Sequence, residues 1–111
     1  MRQIDYDMAE AFAKWEKKSA SNTMVMISND EQEVYLVLHW NAIVARKIDS
    51  EDLTLHLPLR WQTQTTKSRI NAVLEEMGYP ISIKTIKTVW HFILPDGSKK
   101  PVVSWPNFIH K

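Results

Sequence analysis

Between Trp61 and Asn71 the chain gathers Thr63, Thr65, Thr66, Lys67 and Arg69 at the start of a predicted helix. A helix start leaves backbone N–H groups unpaired and carries partial positive charge. With hydroxyls and two cations beside it, the segment is equipped to hold a phosphate or a carboxylate. The charge order runs against the helix dipole, because Lys67 and Arg69 lie in the first turns while Glu75 and Glu76 close the helix before Gly78. Local departures of this kind gather at sites with a function. The same residues also have a plainer use, with Thr65 or Thr66 as N-cap and Trp61 and Ile70 as anchors, and this fold-defining use weighs more than the binding one.

The other chemistry-bearing residues are scattered. Histidines at 39, 56, 91 and 110 pair with no His or carboxylate at a metal-ligand interval, and three of them fall in strand patterns as sheet-surface residues. There is no cysteine and no Gly-x-Ser-x-Gly elbow, and the two glycines, Gly78 and Gly97, are too few for a phosphate-cradling loop. Glu51-Asp52 and Glu75-Glu76 are adjacent in sequence and solvent-like. No enzyme, metal site or cofactor is expected. Five tryptophans are many for 111 residues: Trp15 and Trp90 fit core-facing positions, whereas Trp40, Trp61 and Trp105 fall in turns or element ends, where an exposed indole serves binding.

Length and composition fit one domain over residues 1–111, with no apolar run long enough to span a bilayer and no signal-peptide core, so a cytoplasmic address in a host cell is expected. The net charge of +1 conceals an asymmetry. Residues 1–52 hold six Lys/Arg against ten Asp/Glu, and residues 53–111 hold eight against three. Either the halves neutralise each other, or the basic half presents a face to an acidic partner.

These residues need elements to position them. Ile4, Met8, Phe12 and Trp15 recur at helical spacing with acids early and lysines late, predicting a helix over about 5–18 that Asp5 caps and Ser19–Asn22 ends. Strands follow at 23–27, 33–39 and 42–46, with a reversal at Trp40-Asn41, and a fourth begins at Leu53 and is limited by Pro58. Ile70, Val73, Leu74 and Met77 place a second helix at about 66–77, with Gly78 as its C-terminal cap. Ile81–Ile83 and Val89–Leu94 are extended, and after a turn at 95–98, Val102–Trp105 pairs back as a hairpin whose edge, over 100–105, offers a route to a homodimer. The fold class is α+β, a mainly antiparallel sheet of about five or six strands with two helices.

Trp61, Thr63, Thr65, Thr66, Lys67, Arg69, Ile70 and Asn71 together resemble a motif of small bacteriophage and mobile-element proteins. A looser likeness runs over about residues 20–94, which makes the N-terminal helix and the Lys99-Lys100 segment look like additions, and Arg60 stands where those proteins often have glycine. The resemblance implies a phage accessory protein, a class in which small binders of host proteins are common. The expected function is non-enzymatic binding of a host protein or defence complex, for example as an anti-CRISPR, without membrane association. Trp61, Thr65, Thr66, Lys67 and Arg69 are the expected contacts, with Trp40 and Trp105 secondary. The other reading is a nucleic-acid-binding accessory protein with a basic, tryptophan-containing surface.

Overall fold

The computed structural model of the protein describes residues 2–56, 63–102 and 106–110. Among these residues the order is α1 (Gln3–Ala13), β1 (Lys18–Ala20), β2 (Thr23–Ile27), β3 (Glu33–Leu38), β4 (Asn41–Lys47), β5 (Leu53–Leu55), α2 (Gln64–Glu76), β6 (Ser82–Ile86), β7 (Val89–Ile93), β8 (Lys99–Pro101) and β9 (Asn107–Ile109). Strands β1 to β5 form an antiparallel meander that β9 extends beside β5, and β6, β7 and β8 form a second, three-stranded antiparallel sheet. The architecture is α+β, as its alternating and helical patterns require.

Helix α1 ends five residues earlier than its lysines suggest. Trp15 takes φ 57°, so its N–H turns back to the Phe12 carbonyl while the Glu16 N–H reaches that of Ala11. This paired closure normally places glycine in the left-handed position. Here Arg46 holds the bulky residue: its guanidinium lies 5.7 Å from both the Phe12 and Trp15 rings, and its Nη2 donates to the Ala13 carbonyl at 3.0 Å. The chain thereby released forms β1, whose Lys18, Ser19 and Ala20 pair with Val25, Met24 and Thr23. Asp5 contributes from inside the helix, accepting the Arg2 N–H at 2.9 Å.

Helix α2 closes in the same way at Gly78, φ 76°, with Gly78 N–H to Glu75 and Tyr79 N–H to Leu74. Its N-cap, however, is Thr63 rather than Thr65 or Thr66. Thr63 is extended, and its hydroxyl accepts the Thr66 N–H at 3.2 Å.

The reversal after β3 lies one residue earlier than expected: His39 and Trp40 both have positive φ, and Leu38 pairs with Asn41. Lys87 and Thr88 make the same kind of two-residue turn between β6 and β7. Both turns do without the Asn and Gly that such hairpins favour. The last hairpin is shifted as well, with Lys99–Pro101 as the strand pairing with β7. Residues 103–105, which belonged to the expected strand, lie outside the described residues. Two lysines and a proline on edge strand β8 oppose pairing with a second copy.

The core lies between the helices and one face of the six-stranded sheet. Met8, Phe12, Leu36, Ile43, Leu55, Ile70 and Leu74 are fully buried. A bulge between Leu36 and Val37 in the β3–β4 register allows neighbouring Ile43 and Val44 both to be buried.

Candidate functional site

The expected anion site resolves into separate parts. Lys67 and Arg69 stand two positions apart on α2, about 200° around the helix, and point to different neighbours. Arg69 is only 2% exposed. Its Nη1 pairs with the Asp5 carboxylate of α1 and its Nε donates to Thr23 Oγ1 at 3.0 Å. The anion that Arg69 holds is therefore a carboxylate of the same chain. Lys67 instead reaches Thr85 Oγ1 at 2.9 Å, Thr66 is buried against the Thr63 hydroxyl, and Thr65 is half-buried. Asn71 clamps β6 through both amide groups, donating to the Ile83 carbonyl at 2.9 Å and accepting its N–H at 2.7 Å. The motif thus ties α2 to α1, β2 and β6. Trp61 and Trp105 lie outside the described residues.

The polar chain running out from Arg69 has a dictated direction. A guanidinium only donates, so Thr23 Oγ1 must accept from it and pass its own proton to Asn22 Oδ1, 2.9 Å away. That turns the Asn22 amide nitrogen toward His39 Nε2 at 3.2 Å. His39 thus terminates a structural relay. Of the other histidines, His91 Nδ1 donates to the Val89 carbonyl at 2.9 Å and His110 pairs with Asp52 at 3.1 Å. Among the described residues, no three His, Cys, Asp or Glu side chains converge as a metal site would need.

Two outward faces differ in character. On the six-stranded sheet, the face away from the helices carries the cross-strand series Met26, Tyr35, Ala45, Thr54 and Phe108, and beside it Met24, Val37 and Ala42. Trp40 is 85% exposed and Met26 46%, and with Tyr35, Val37 and Ala42 they line a shallow cavity of about 580 Å³. Tyr35 is anchored by donating to Glu33 at 3.0 Å, and burial, reinforced by that bond, raises its pKa above the ordinary phenol value. A larger cavity of about 700 Å³ lies at the acidic end, between Trp15, Lys17, Ile48, Glu31 and Asp49. The three-stranded sheet is basic, with Lys84, Lys87, Lys99 and Lys100 exposed. Its aromatic residues Trp90 and Phe92 face the core, so among the described residues basic charge and exposed tryptophan do not share one surface. The sequence signal for the apolar face was the tyrosine, valine and alanine at the outward positions of β3 and β4, where polar residues are usual.

The described residues define a small α+β protein with one helix-covered antiparallel sheet, a buried ionic staple and two open faces of contrasting chemistry. No described helix is long and apolar enough to cross a membrane. The chain belongs to the Kyanoviridae Gp96 protein family, matched over residues 1–109, and is a phage protein. The match takes in α1 and β8, so the N-terminal helix and the Lys99-Lys100 segment fall within the matched span. No curated protein and no solved structure matches the chain.

Proposed function

We propose that this phage protein acts without catalysis, by covering a surface on a host protein or defence complex, an anti-CRISPR activity being one example. The observation that carries the reading is the uncovered apolar face around Trp40. An indole 85% exposed beside Met26 on a sheet face has the composition of a binding hot spot, a central aromatic anchor among apolar neighbours. The two-residue turn at His39-Trp40 presents that indole at the end of the β3–β4 hairpin. The contact centres on Trp40 and Met26, with Tyr35 and Ala42 beside them and buried Val37 as the floor. Lys67 lies outside it, and Thr66 and Arg69 serve the fold.

A photo-crosslinking amino acid at position 26, in protein expressed in host cells, tests this reading. One host protein is expected to crosslink reproducibly. The same adduct should be lost on adding Trp40→Ala, with the melting temperature within about 2 °C of the parent because exposed positions contribute little to stability. If the adduct pattern is the same with and without Trp40, this face is not the contact.

A further inference from the structure

The positive charge of the second half is collected on the three-stranded sheet. Lys84 and His91 are cross-strand neighbours, Lys99 stands opposite Ile93 on the same outward face, and Lys87 sits in the β6–β7 turn, while Lys100 pairs with core-facing Phe92 and so projects to the other side of the β8 edge. Between residues 82 and 102 the only carboxylate is Asp96, and it is engaged in its own turn by the Ser98 N–H at 2.8 Å and the Ser98 hydroxyl at 2.6 Å. Glu75 of α2 borders the same cavity as Lys84. The ion pairs among the described residues are Lys14–Glu10, Arg69–Asp5 and His110–Asp52, so none of these four lysines is neutralised by a neighbour in salt-bridge contact.

Lysines on edge strands also discourage sheet-to-sheet aggregation, and on β8 Lys99, Lys100 and Pro101 meet that need. The β6 edge is protected differently, because the Asn71 side chain already occupies the Ile83 N–H and carbonyl. Lys84 and Lys87 are therefore surplus to edge protection. The outward side chains between the cations are Ile86, Val89, His91 and Ile93, and the one ring among them, the His91 imidazole, is tied through Nδ1 to the Val89 carbonyl. Among the described residues such a face can read phosphate charge but offers no Phe, Tyr or Trp platform on which to stack a base. Val89 is the exposed large apolar side chain on it, which gives little to insert into a lipid surface.

We propose that the outer face of the three-stranded sheet binds the phosphate backbone of nucleic acid without sequence preference, through Lys84, Lys87 and Lys99. The surface is separate from the Trp40 face and does not depend on it. Three phosphate contacts give a slope of log K against log salt of about −2.7 on duplex DNA, or a roughly 40-fold loss of affinity between 50 and 200 mM salt.

The test is fluorescence anisotropy with a labelled 30-base-pair duplex and two duplexes of unrelated sequence, on the full chain. All three are expected to bind alike, and Lys84→Gln/Lys99→Gln is expected to flatten the slope by about two units at unchanged melting temperature, while Trp40→Ala leaves it as in the parent. Three results would each overturn the proposal: no binding at 50 mM salt, a slope unaffected by the double substitution, or tighter binding to phosphatidylserine vesicles or to polyglutamate than to DNA. Retained DNA binding in a Trp40→Ala protein that has lost its host adduct separates the two surfaces.

Discussion

Replacing Arg69 decides whether the 61–71 segment is a fastening or a binding site. In Arg69→Met the Asp5 carboxylate, 1% exposed, stays buried without its cation, and removing one partner of a buried ion pair costs about 3–5 kcal/mol. With an unfolding entropy of about 2.1 cal/mol/K per residue, a chain of this length shifts by about 4 °C for each kcal/mol, so the expected fall is about 13–21 °C. The reciprocal Asp5→Leu should cost a similar amount. The double Asp5→Leu/Arg69→Met replaces the pair by apolar side chains and leaves Thr23 free to donate to Asn22, so it should recover most of the loss, with a coupling of at least about 2 kcal/mol. Urea unfolding followed by far-UV circular dichroism measures each corner of the cycle, with a common slope confirming that the denatured state is shared. The reasoning fails if Arg69→Met lowers the melting temperature by less than about 4 °C, and fails most clearly if that variant is stable yet has lost its partner, since Arg69 would then act at a surface.

Asn71→Leu removes both bonds to Ile83 and should destabilise by about 2–3 kcal/mol, with faster hydrogen exchange at the Ile83 amide; unchanged protection there would refute the clamp. Acid should act on the turns. The Ser98 hydroxyl holds the Asp96 carboxyl below its ordinary value, and the Ser28 hydroxyl does the same for Asp30. A depressed folded value means that the contribution is present above the unfolded carboxyl range and is lost as pH falls through the folded one. A carbon-detected NMR titration should show both carboxyls titrating low, and Ser98→Ala should return Asp96, but not Asp30, toward the ordinary value.

What could be read from the residues depended on how local its cause was. The alternation in β3 and the spacing of Ile70, Val73 and Leu74 report burial directly, so those elements and their core faces were legible. Gly78 announced the end of α2, because glycine is the usual residue there. Trp15 ends α1 by the same backbone turn, yet nothing near it in the chain indicates this, since the group that holds it is Arg46 of β4. The turns at His39-Trp40 and Lys87-Thr88 were obscure for a related reason: their residue types are poor formers of left-handed turns, and the pairing of the flanking strands imposes the conformation. Strands β1 and β9, of three residues each, are too short to show a period. Arg69 was the most misleading residue, a cation in a hydrophilic stretch whose counter-charge lies 64 positions away. The basic half was visible as a count, but only the β6–β8 register shows that its lysines share a sheet.

The placement of β9 bears on the order in which the molecule assembles. β4 and β5 are neighbours in sequence and can pair at once, but the other side of β5 is filled by residues 107–109, after α2 and the whole three-stranded sheet have intervened. Closing so long a loop is slow compared with forming the hairpins. In the interval Leu53–Leu55 offers a bare row of N–H and C=O groups over two leucines destined for the core, a template for pairing with another chain. When β9 arrives it replaces the two core leucines of β5 at the edge by a strand of three residues, so crowding by other copies threatens this sheet most in the interval before it docks.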